Sequence, residues 1–175
     1  MAVVPHLVTD RLLLREGQRA DFDAFATIVM DPKRPTPPGP VDRRTAWRIF
    51  TAGLGHWLLD GFGFWTIEER SSGAYVGMAG AFLREPPPGP TDSNDLELGW
   101  SLVAGLRGKG FATEAARAVV AHVRETKKAP RLIAHVDHDN PASIRVAEKI
   151  GMRYEREVDF YESRLRRYVL DIRGS

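Results

Sequence analysis

The sequence predicts an α+β fold, one domain over residues 1–175 with a central mixed, mostly antiparallel sheet flanked by helices. Three observations carry this. A β-prone run, Leu96 to Val103, leads through a glycine-bearing turn into a helical stripe of Phe111, Ala115, Ala116, Val119, Val120 and Val123. A second strand and helix follow, Arg131 to Val136 and Asn140 to Ile150. The chain closes on two alternating segments, Arg153 to Tyr161 and Leu165 to Ile172, around Glu162-Ser163-Arg164.

The remaining elements are bounded by proline. Nine of the 12 prolines fall between Asp31 and Pro40 or between Pro86 and Pro90, where fixed φ angles and missing donors exclude ordinary helix or central strand. The first loop separates a helix over Asp21 to Met30 from another at about Arg43 to Leu59. Strands are expected at Gly63 to Glu68 and at Tyr75 to Leu83, and the second loop joins the latter to Leu96 to Val103. Trp47, Phe50, Trp57, Phe62, Phe64 and Trp65 are expected mostly to pack the second helix on the sheet. Near the end, Asn140 suits a helix cap, Pro141 the first helical turn and Gly151 the left-handed stop.

Composition narrows the functional classes. The 25 basic and 23 acidic residues leave a formal charge of +2, which gives no global electrostatic case for binding nucleic acid or a membrane surface. Without cysteine there is no disulfide, thiol nucleophile or thiolate metal site. No apolar run approaches the roughly 18 residues of a membrane span, and a cytoplasmic protein is expected. His135 and His138 have metal-binding chemistry, but their odd separation on a strand puts them on opposite faces, so no metal is expected. Arg164, Arg166 and Arg167, interleaved with Tyr161 and Tyr168, read as a wet face on a terminal strand.

The turn Arg107-Gly108-Lys109-Gly110-Phe111-Ala112-Thr113 is the most specific chemical signal. At a helix start the first N–H groups lack helical partners and carry the positive end of the dipole, which makes a receptor for phosphate. It is no Walker loop, because Gly105 and Gly108 are too close and Lys109 is followed by glycine instead of a hydroxyl residue. A dinucleotide fingerprint fails at Thr113, where a third glycine belongs. The pattern that fits is [Arg/Gln]-x-x-Gly-x-[Gly/Ala], met by Arg107, Gly110 and Ala112.

With this loop in place, the chain resembles the GNAT superfamily of N-acetyltransferases, most closely its branch that acetylates the N-termini of ribosomal proteins. Leu12-Leu13-Leu14-Arg15 after Thr9-Asp10-Arg11 is similar to the family's opening strand, and Glu97-Leu98-Gly99-Trp100 to its central strand. Arg107 to Ala112 is similar to its acetyl-CoA pyrophosphate loop, and Asn140 to Met152 to its helix with a Gly-hydrophobic ending.

The resemblance implies an acetyl-CoA-dependent enzyme that acetylates a primary amine. The acceptor is a protein or peptide N-terminus, with a small amine such as an antibiotic or polyamine as the alternative. A catalytically weak acyl-CoA sensor is a further alternative, and the chain acts as a monomer or homodimer. Arg107, Gly108, Lys109, Gly110, Phe111, Ala112 and Thr113 are expected to hold the pyrophosphate, and Asn140 the pantetheine. The strand near Leu102 and Val103 is expected to splay or bulge, so that a backbone N–H meets the thioester carbonyl. Glu97 is the expected general base, its pKa raised by apolar neighbours, with Asp95 as competitor. The family's usual proton-donating tyrosine is replaced by Ala147, and Ser143 is the expected substitute.

Overall fold

The computed structural model describes residues 4–34, 39–84, 95–126, 129–160 and 163–172. Its strands are β1 (Leu7–Val8), β2 (Leu12–Arg15), β3 (Phe64–Glu69), β4 (Tyr75–Phe82), β5 (Leu96–Leu102), β6 (Arg131–Asp137), β7 (Arg153–Phe160) and β8 (Ser163–Asp171). The α-helices are α1 (Phe22–Val29), α2 (Arg43–Leu59), α3 (Phe111–Thr126) and α4 (Pro141–Lys149). The strands form one sheet in the order β1-β2-β3-β4-β5-β6-β8-β7. Every neighbouring pair is antiparallel except β5 with β6. The expected α+β class and mostly antiparallel sheet are therefore what the chain adopts.

Side-chain alternation sorts the sheet into two faces. Leu98 and Leu102 of β5 and Leu132, Ala134 and Val136 of β6 join the apolar stripe of α3, Phe111 to Val123, in the larger core, together with Ala147 and Ile150 from the end of α4. On the other face Phe22, Phe25, Ala26 and Val29 of α1 meet Ala46 and Phe50 of α2, with Met78 of β4 beneath them. Asp42 caps α2 by accepting from the Thr45 amide at 2.7 Å. The second helix is only half committed to the core, because Leu58 and Leu59 remain exposed.

Two expectations need correction. The segment at Leu165 to Ile172 is not a terminal strand of the sheet, because β8 lies between β6 and β7. Covered on both faces, it buries both Arg167 and Tyr168, so the wet face does not extend to them. Arg167 instead donates to Asp95 at 2.8 Å and meets Glu155 at 2.9 Å. The hairpin also turns before Ser163, which already belongs to β8; Tyr161 and Glu162 lie outside the described residues.

Candidate active site

The site begins where two strands part. β5 and β6 pair only at Leu96 with Leu132 and at Glu97 with Ile133. Beyond that point β5 stays in register with β4 as far as Leu102, so the gap opens entirely on the β6 side. Parting starts earlier than the predicted Leu102. The gap is a cleft of about 380 Å³, within the usual range for small-ligand pockets.

The backbone of β5 supplies a donor to this gap. Val103 donates its N–H to the Val76 carbonyl at 3.0 Å, toward β4. Successive N–H groups on a strand point to opposite edges, so that of Leu102 points to the cleft. Val103 does not line the cleft and its amide is engaged by Val76, whereas Leu102 lines the cleft.

The glycine loop forms one wall. Gly108 and Gly110 adopt φ of 81° and 82°, the left-handed region that side chains with a Cβ rarely enter. Glu114 donates the first helical bond, to the Gly110 carbonyl at 3.1 Å, which leaves the N–H groups of Phe111, Ala112 and Thr113 free of helical acceptors. Arg107, Gly108, Gly110, Ala112 and Thr113 line the cleft. Lys109 and Phe111 do not: the Phe111 ring is buried in the core, and Lys109 turns its carbonyl to Arg11.

The opposite wall is α4. Asn140 caps it, accepting from the Ser143 amide at 3.1 Å, and both residues line the cleft. Ser143 Oγ makes no hydrogen bond among the described residues, so its hydroxyl is free for a ligand. Ala147, one turn further on, is fully buried, and a tyrosine there would have no room without repacking.

Glu97 lies at the closed end of the gap and does not line the cleft. Its carboxylate accepts from Arg84 twice, at 2.5 and 2.8 Å. His135 Nδ1 sits 3.2 Å from it at an angle too oblique for a good hydrogen bond, and His135 Nε2 is buried without a partner among the described residues. Burial pushes the Glu97 carboxyl up, but Arg84 and His135 outweigh it and hold the group below the ordinary carboxylate range. The expected raised pKa is thus reversed. Asp95 is tied to Arg131 and Arg167, each at 2.8 Å, and is not free to act as a base. His138 faces away, paired with Glu157 at 2.6 Å.

Some functional side chains were not legible in the sequence. Arg11 donates to the Lys109 carbonyl at 2.9 Å and to Glu114 at 2.7 Å, while its guanidinium covers the Phe111 ring at 4.6 Å. Thr9 donates to the same Glu114 at 2.6 Å. This brace holds the glycine loop from behind. An acidic residue in the first turn of a helix was the available signal, since the dipole favours it there. Arg34 also lines the cleft, from the segment after α1.

Comparison with known proteins agrees with this architecture. The family model for the acetyltransferase (GNAT) domain matches residues 11–153. The uncharacterized protein YkkB of Bacillus subtilis is 30% identical over 154 residues, 87% of each chain. An acetyltransferase from Agrobacterium tumefaciens superposes with a TM-score of 0.84 at 32% identity, over 95% of this chain and 94% of that one. RimL, a ribosomal L7/L12 α-N-protein acetyltransferase solved with coenzyme A, shares the fold at a TM-score of 0.76 and 15% identity, over 95% of this chain and 98% of its own.

Proposed function

This chain belongs to the GNAT acetyltransferase family, and from that premise we propose that it transfers the acetyl group of acetyl-CoA to a protein or peptide N-terminus. The observation that carries the cofactor half is the cleft itself. Its wall offers amides at the start of α3 that have no acceptor among the described residues, beside two left-handed glycines, and a Cβ added to Gly108 would meet nothing within 4 Å, so the backbone is open to a phosphate. Acetyl-CoA supplies the thioester that is attacked.

The chain's own residues then divide the work. The amides of residues 110–113 hold the pyrophosphate, and Asn140 keeps its amide nitrogen for the pantetheine arm while its oxygen caps α4. The Leu102 N–H stabilises the oxyanion that develops on the carbonyl. Glu97, kept ionised by Arg84, lies 3.2 Å from His135 Nδ1 as its counter-charge, and His135 Nε2 takes the proton lost by the amine through a bridging water as the new C–N bond forms, since neither side chain lines the cleft. Ser143 gives its proton to the departing sulfur as the C–S bond breaks.

The acceptor assignment draws on the opening-strand and central-strand resemblance and on the fold shared with RimL, which acts on a protein α-amine. A peptide with one free N-terminus and one internal lysine tests it, read by fragment mass after incubation with acetyl-CoA. The expected product carries acetyl at the N-terminus. Acetyl on lysine, or transfer only to small amines in a parallel assay, would overturn the acceptor and leave the acetyltransferase in place.

A further inference from the structure

Arg34 brings into the cleft a positive charge that no acid among the described residues answers. It lies just beyond α1 in a segment pinned by Asp31. The Asp31 carboxylate accepts from the Lys33 amide at 2.9 Å and faces Arg107 at 3.5 Å, while its carbonyl accepts from the Arg34 amide at 2.9 Å. Arg34 is thus held in place before any ligand arrives. Its side chain lines the cleft, as do Ile28 and Ser101. Among the described residues its side chain donates only from Nη1, to the Gly39 carbonyl at 3.2 Å.

No carboxylate reaches this guanidinium among the described residues, and Asp31, its nearest acid in sequence, is engaged by Arg107. Other half-buried arginines are compensated: Arg15 pairs with Asp21 and Glu68, and Arg131 with Asp95. For Arg34, burial alone acts, drawing its pKa below the ordinary arginine value. A partly desolvated cation without a counter-charge is a cost that an incoming anion offsets, through charge-assisted and often bidentate bonds.

The position says which anion. The amides suited to phosphate are those at the start of α3, whereas Arg34 comes from the segment after α1, which Asp31 ties to Arg107 at 3.5 Å. Ser101 pairs in register with Met78, and Met78 packs under α1 and α2 on that same face. This is the face on which Glu97 and His135 also lie, opposite the α3 core. We propose that Arg34 binds a carboxylate of the acceptor, close to its reacting amine, so that the enzyme selects acidic N-terminal segments. The inference rests on the acetyl-transfer reading above.

A peptide panel tests it, with one aspartate moved through positions two to four and an asparagine control at each. At the best position the aspartate peptide should exceed its control in kcat/KM by roughly tenfold, the equivalent of a charged hydrogen bond of about 1.5 kcal/mol. Arg34→Gln should bring that ratio close to one, and Arg34→Glu should shift preference to a lysine at the same position. Acetyl-CoA affinity, measured by calorimetry on the same variants, separates the two sources of negative charge. A loss of acetyl-CoA affinity on Arg34→Gln would place a cofactor phosphate there instead and overturn the proposal. Equal rates for aspartate and asparagine peptides in the unmodified enzyme would overturn it as well. Absence of transfer to any peptide would instead count against the parent reading.

Discussion

Glu97 is ionised but weakly basic, because a carboxylate that accepts two bonds from Arg84 gains little by taking up a proton. In the proposed mechanism its value lies in its place beside His135, whose Nε2 has no partner among the described residues. Glu97→Gln should therefore lower kcat by roughly 10²-fold or more with acetyl-CoA affinity nearly intact, and His135→Asn should lower it comparably. Because the two act as a unit, the double variant should cost little beyond either single one. Additive losses would separate their roles. Ser143→Ala should cost less, and an effect confined to acetyl-CoA affinity would make Ser143 a binding residue only. The sequence pointed to Glu97 and Ser143 through resemblance. It was silent on His135 as a partner, because a contact between neighbouring strands depends on sheet register, and one residue of slip would turn the imidazole to the opposite face.

Strand, loop and helix between Leu96 and Val123 were legible because their signals are local: a β-prone run, left-handed glycines and an apolar stripe at helical spacing. The brace behind the loop was not, since Arg11 and Glu114 stand far apart in the chain and meet only when β2 packs beside α3. Its consequence is specific. The Arg11 bond to the Lys109 carbonyl fixes the loop in the conformation that frees its amides. Arg11→Ala should weaken acetyl-CoA binding on the order of tenfold, the scale of one charge-assisted hydrogen bond, with thermal stability of the apoprotein less affected. Gly110→Val should abolish the acetyl-CoA-induced thermal shift altogether, because φ of 82° is closed to a β-branched residue. An unaltered shift in Gly110→Val would exclude this loop as the phosphate site.

The larger plan of the molecule was legible as a mixed sheet with helices, whereas strand order was not, because order is set by long-range pairing. That is why the chain's last strand was expected at an edge. Inserting β8 between β6 and β7 creates an interior that holds Arg167 and Asp95, and comparable buried charge recurs toward the other edge of the sheet, where Arg15 meets Asp21 at 2.9 Å. The Arg15–Asp21 pair couples stability to acid. Burial pushes the Asp21 carboxyl up, but bonds from Arg15, Gln18 and Thr66 outweigh it and lower its pKa; Glu97 and Glu114 are lowered likewise by their partners. A lowered folded pKa means that the unfolded chain takes up protons first. The stabilisation is therefore complete above the ordinary carboxylate range and is lost as pH falls through the folded values. Unfolding free energy should stay level from pH 7 to about 5, then fall below about pH 4 with a slope approaching 1.4 kcal/mol per pH unit for each such group. Asp21→Asn should reduce that acid slope while costing about 3 kcal/mol at neutral pH, because it leaves Arg15 half-paired inside the sheet. Denaturant titrations of both proteins from pH 7 to 3 measure the difference directly, and an unchanged acid slope in the variant would assign the coupling to other carboxylates.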